Sequence, residues 1–294
     1  MKKQSMARRA QGLAAVTALL ALGAVGCGGM VESAKAGAEK VARQRSVFGL
    51  KPGDCFNTND GRTEGEAFSV EVVPCDEPHQ SQVSGEFEVD ERKFPGDRVI
   101  EAMADETCAR LEQEFAPDTW ALAAEGVESF SYTPTKASWT TGDRLVSCTL
   151  AKESADLKGS LEADDAGMEP GAADYLKTSG KVYDALWANQ PEGDDPAEDM
   201  KGYTAQAEAV ATALTDHVAA LEKIEGPVAE SLLVQQSKAL AHWKKAASAQ
   251  DADAFFVAYD PAFDGLDPAR SIGLRKELGL STTVPADDAD VWAG

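Results

Sequence analysis

The chain has 294 residues, 43% of them hydrophobic, with a formal net charge of -22. That is enough apolar material for two modest cores. Such acidity repels a phosphate backbone and argues against any nucleic-acid partner. No Gly-x-Ser-x-Gly, His-Glu-x-x-His, P-loop or dinucleotide fingerprint occurs, so the expectation is a protein that is not an enzyme and carries no cofactor.

The N-terminus reads as an export signal. Lys2, Lys3, Arg8 and Arg9 form a positive n-region without an acid, and Gly12 to Val25 is an apolar run of signal-peptide size. The run is shorter than the roughly 20 residues a membrane-spanning helix needs. Ala24-Val25-Gly26-Cys27-Gly28 follows. Small residues before a Cys, directly after an apolar run, resemble the bacterial lipobox, which implies a diacylglyceryl group on Cys27. Arg8-Arg9 lacks the surroundings of a twin-arginine signal, so general secretion is expected. Residues 1–26 are therefore read as a lipoprotein signal peptide and 27–45 as a lipid-anchored tether. Two acyl chains make a stable attachment to the membrane. The stretch 28–45 sets Lys35, Lys40, Arg43 and Arg45 against Glu32 and Glu39. A basic tether suits an anionic lipid surface, while the acidic body is pushed away from it.

Residues 46–161 read as a disulfide module. Beyond Cys27 there are four cysteines, Cys55, Cys75, Cys108 and Cys148. An even number in an exported chain implies two bridges with three possible connectivities. Phe68 to Val73 reads as a strand. Asp97 to Phe115 reads as a helix, because Ile100, Ala104, Cys108, Leu111 and Phe115 recur at three-to-four spacing. Leu145 to Leu150 reads as a core strand carrying Cys148. These elements favour Cys55–Cys75 and Cys108–Cys148. Each loop closure stabilises by at most about 3–4 kcal/mol. Ser81–Val89 and Ser129–Thr133 are further strands, and Thr141-Gly142 is a turn between Ala137–Trp139 and Leu145–Leu150. One helix with several strands makes a small α+β domain.

Candidate binding residues in this module are Asp76, His79, Trp139, Asp143 and Arg144. Cys75-x-x-x-His79 has the spacing of half a metal site, but outside the membrane paired cysteines are oxidised, so no metal is expected. His79 has no nucleophile to serve. Trp139 reads as a core plug, and Asp143 and Arg144 as braces of the turn.

In order, Gly53-Asp54-Cys55-Phe56, Val73-Pro74-Cys75-Asp76-Glu77-Pro78-His79, Cys108, Trp139, Gly142-Asp143-Arg144, Cys148 and Gly159-Ser160-Leu161 resemble the septum-formation-related domain. That domain occurs in exported and membrane-anchored proteins of Gram-positive bacteria. The resemblance covers about residues 47–161. It implies an extracytoplasmic disulfide-bonded module associated with septum formation, and it brings no catalytic residues. Gln80-Ser81-Gln82 departs from the acidic or aromatic residues expected after His79.

Glu162 to Ala172 is acidic and rich in Gly and Pro, which places a linker at 162–171. Beyond it helical periodicity takes over, with apolar stripes over about 172–189, 199–225 and 227–249, a short fourth helix around Phe255, Phe256 and Tyr259, and a last one from Asp267-Pro268 to Gly279. Stripes of this kind bury against each other, so 172–280 reads as an all-α bundle and 281–294 as a loose tail. Asp194, Asp195, Glu198 and Asp199 lack calcium-loop spacing and read as a solvated loop. His217 and His242 read as boundary residues. The expected whole is a small disulfide-stapled α+β domain followed by a helical bundle, held on the outer face of the cell membrane. Its expected act is binding an envelope or division protein; a solute- or metal-binding lipoprotein is the alternative.

Overall fold

The computed structural model describes residues 41–63, 69–152, 157–163, 167–188, 190–191 and 195–286, together with the main chain of 5–8. Cys27, most of the tether, Asp164, Asp165 and Asp194 lie outside the described residues.

The chain divides into two compact units. The first is built on a mixed sheet. Its strands are β1 (Ser5–Arg8), β2 (Gln44–Ser46), β3 (Cys55–Thr58), β4 (Ser69–Val73), β5 (Ser81–Glu88), β6 (Glu128–Thr133) and β7 (Leu145–Ala151). The spatial order is β1-β6-β7-β5-β3-β4-β2. β2 to β7 pair antiparallel, while β1 runs parallel along Phe130–Thr133 of β6. Under the sheet, Val47, Leu50, Phe56, Val70, Val83 and Tyr132 form one apolar cluster.

Helix α1 (Asp97–Phe115) covers a second cluster of Val89, Ile100, Ala104, Cys108, Trp139, Val146 and Cys148. Two bridges staple these layers. Cys55–Cys75 ties β3 to the turn after β4, and Cys108–Cys148 ties α1 to β7, with Cα separations of 5.2 and 5.3 Å. Helix and sheet approach closely at Gly85, where the β5–β7 register also shifts. A Cβ at Gly85 would lie 2.8 Å from the Leu111 side chain, so only glycine fits without displacing α1.

The second unit holds α4 (Ala172–Ala188), α5 (Met200–Leu221), α6 (Pro227–Ala247), α7 (Ala252–Asp264) and α8 (Ile272–Glu277). Helices α4 to α7 pack each on the next. Trp243, Phe255, Val210 and Leu214 fill one core cluster, and Tyr175, Leu176, Leu221, Leu232 and Leu274 fill another. Side-chain caps set several starts: Asp199 accepts from Gly202 N at 2.9 Å and Asp251 from Ala254 N at 2.8 Å. No described helix is long and apolar enough to cross a membrane.

Four local expectations are corrected. The segment Ala137–Trp139 before the Thr141-Gly142 turn is helical, so the turn does not join two strands. Thr135 and Ser138 form a reciprocal capping box that winds Lys136–Trp139 into a short helix, α3. Residues 116–126, which carry helix α2 (Thr119–Glu125), pack within the helical unit rather than with the rest of 46–161. The last helix begins as a 3-10 turn (Pro268–Ser271), with Asp267 accepting from Ala269 N at 2.9 Å. Ser281 is not loose: its N–H donates to Asp118 Oδ2 at 2.9 Å, and its carbonyl accepts from Arg275 Nε at 2.6 Å.

Candidate functional site

The sequence candidates fall into two turns of the sheet unit. The first contains Trp139, Asp143 and Arg144. Helix α3 delivers Trp139 into the core beside Phe94, whose ring meets it edge-on at 5.5 Å. Gly142, at φ 96°, turns the chain back so that Arg144 returns over the indole. The guanidinium carbon sits 3.7 Å from the ring centroid, and Nη1 donates to the carbonyls of Trp139 and Asp143 at 2.9 and 2.7 Å. Asp143 accepts from Ser138 Oγ at 2.7 Å and from Leu145 N at 3.3 Å. Trp139 is thus a core plug capped by a cation, and Asp143 clamps the turn to α3.

The second turn, between β4 and β5, contains Asp76 and His79. Asp76 is exposed. Glu77 takes a paired contact from Arg43 at 2.6 and 3.1 Å, and that guanidinium holds its carboxyl below the usual range. His79 is fully buried. Its Nδ1–H donates to the Glu77 carbonyl at 2.9 Å, which leaves Nε2 as a buried acceptor without a hydrogen-bond partner. Its backbone exchanges two hydrogen bonds of 3.0 Å with Leu157. A ring held this way orders the turn and presents no face to a substrate.

Gln80 and Gln82 explain the departure noted after His79. Both are buried. Gln80 Oε1 accepts from Thr58 N and Oγ1 at 3.0 and 2.9 Å, and its Nε2 donates to the Gly61 carbonyl at 2.7 Å. Gln82 donates to the Gly53 carbonyl and to Ser160 Oγ, and accepts from Leu161 N. An amide offers both a donor and an acceptor where a carboxylate or an aromatic ring would leave one group unpaired. Gly53, Ser160 and Leu161 are therefore joined through one side chain. The sequence marks all four residues separately, and the fold shows that Gln82 joins the other three.

Two buried titratable groups lie away from these turns. Burial pushes the Glu112 carboxyl up to about 8, against a bond of 2.8 Å from Ser129 Oγ. His217 is not a boundary residue: it is buried beside Thr178 Oγ1 at 2.9 Å, and burial pushes its imidazole down to about 4. In the helical unit, a 330 Å³ groove is lined by Glu208, Thr212, Thr215, Lys244 and Ser248. The three hydroxyls donate to carbonyls of their own helix segments. Among the described residues no group of three or more His, Cys, Asp or Glu could hold a metal ion.

Residues 22–148 match a family model described as septum formation. This part of the chain is similar to that family. The match points to a role related to cell division. All four paired cysteines, Asp76, His79, Trp139, Asp143 and Arg144 lie inside the match. It starts ahead of Cys27 and stops at Cys148, so the Gln82–Ser160 closure lies partly beyond it. The septum-formation domain also spans 116–126, the segment that packs in the helical unit. No curated protein matches the chain, and no solved structure does.

Proposed function

We propose that the protein is a non-enzymatic lipoprotein, anchored through Cys27 to the outer face of the cell membrane. Its extracytoplasmic body binds an envelope or division protein during septum formation. The observation that carries this reading is the septum-formation domain at 22–148. A binding role is supported by the use made of the residues closest to chemistry. His79 is spent on a backbone carbonyl and Trp139 is sealed beneath Arg144. In these turns, exposed surface is what is left for recognition. Export is supported by the basic and apolar segments before Cys27 and by the two disulfides, which persist outside the cytoplasm.

Metabolic labelling with a clickable palmitate analogue, combined with membrane fractionation, tests the anchor. The wild type should carry the label and sediment with membranes, while Cys27→Ala should do neither. Replacing the native copy with Cys27→Ala should also disturb septum spacing or timing. Unlabelled wild-type protein, or normal division in cells lacking the whole chain, would overturn the proposal.

A further inference from the structure

Helix α7 has two sides of different character. Phe255, Ala258 and Ala262 face the core. The opposite side carries Asp253, Phe256, Val257, Asp260, Phe263 and Asp264, at the three- and four-residue spacing of one helix face. Phe256, Val257 and Phe263 expose 43%, 79% and 37% of their surface. The two rings are held from within, Phe256 edge-on against Phe255 at 6.1 Å and Phe263 through a stack. Phe255 stacks on Tyr259 at 5.2 Å and Tyr259 on Phe263 at 5.7 Å, so a ladder of rings runs from the core to the surface. Trp243 braces its middle rung edge-on at 5.3 Å. Rings fixed in advance lose little freedom on binding, which is what anchor residues at interfaces require.

We infer that this face of α7 is a docking surface for a basic amphipathic helix of a partner protein. The charge around the rings selects that occupant. Helix α7 contains no Lys or Arg, and Asp253 and Asp260 run along the strip between Val257 and the two phenylalanines. Asp264 is paired with Arg270 at 3.4 Å. Lys or Arg heads of a partner helix would meet Asp253 and Asp260 while its apolar stripe covers Phe256, Val257 and Phe263. An anionic lipid surface would be repelled by the same aspartates. A second copy would set those aspartates against their like, in a chain of net charge -22. The inference rests on the reading of this protein as a binding module and names the surface and the class of partner.

The test is a titration of the purified chain with a synthetic Lys/Leu amphipathic helix at physiological salt. Its Glu/Leu counterpart and phosphatidylglycerol vesicles are the comparison arms. The Lys/Leu peptide should bind, and Phe256→Ala with Phe263→Ala should weaken it about tenfold. Asp253→Lys with Asp260→Lys should reverse the preference toward the Glu/Leu peptide, a gain that a misfolded variant cannot give. Three results would overturn the inference: no binding of the Lys/Leu peptide, equal binding by the phenylalanine variant, or preferential binding of the vesicles. Each would leave the septal reading standing, because that reading is judged in dividing cells.

Discussion

Asp118 and Arg275, separated by 157 positions, form an ion pair in which the arginine is buried and the carboxylate half-buried. Arg275 also lies over the Trp120 ring at 4.1 Å, and both partners hold the backbone of Ser281. The segment that carries Asp118 and Trp120 falls inside the septum-formation match but packs with the C-terminal helices. Removing Asp118 leaves a buried guanidinium without its counter-charge, and removing Arg275 takes away its packing on Trp120 and its bond to Ser281 as well. Arg275→Ala should destabilise the helical unit by about 3–5 kcal/mol. Asp118→Ala combined with it should cost clearly less than the sum of the two single changes. Urea unfolding followed by circular dichroism checks both.

A chain ending at residue 162 lacks every partner that Asp118 and Trp120 have in α8 and beyond. The two disulfides should still form in that fragment. Residues 116–126 should become the preferred site of protease cleavage, and the emission of Trp120 should shift to the red. Limited proteolysis with mass mapping reads the first effect, and fluorescence of a variant keeping only that tryptophan reads the second.

Glu112 gives the sheet unit a pH dependence of known sign. Its folded pKa, about 8, lies above the ordinary carboxyl value because burial disfavours the charge. The folded state therefore holds the proton more tightly than the unfolded state. The resulting stability is fully present below the unfolded pKa, declines above it, and is lost as pH passes about 8. Glu112→Gln keeps an acceptor for Ser129 and cannot ionise. Its advantage over wild type should grow from pH 5 to pH 8.5 and reach on the order of a few kcal/mol. Urea midpoints measured across that range check it.

Gly85→Ala should cost about 1–3 kcal/mol, because the new methyl would press on Leu111 where α1 crosses the sheet. Pairing it with Leu111→Ala should recover part of the loss. Thermal unfolding of the three variants checks this.

Periodic and covalent features were legible in the sequence. Helix α1 runs over the residues its apolar spacing marks, and the bridges pair Cys55 with Cys75 and Cys108 with Cys148 as those elements favour. Strand β3 was not legible, because four residues, Cys55–Thr58, give too little alternation to set a period. The short helix Lys136–Trp139 was not legible either, because it rests on Thr135 and Ser138 capping each other. Gln82 stands out only as a departure after His79, and Ser160 only within Gly159-Ser160-Leu161; the fold brings them within 2.9 Å. The pairing of Asp118 with Arg275 had no local signal at all, because the two residues lie 157 positions apart. Candidate binding residues drawn from motif resemblance belong to turns that the fold uses for its own closure.

The central claim, an outer-surface lipoprotein acting where the septum forms, is tested most directly by imaging the full-length chain in dividing cells with a C-terminal tag that folds outside the membrane. The account predicts enrichment at septa, lost in a variant without residues 46–161 that still carries its anchor. An even distribution over the envelope, or enrichment that survives removal of the septum-formation module, would contradict it.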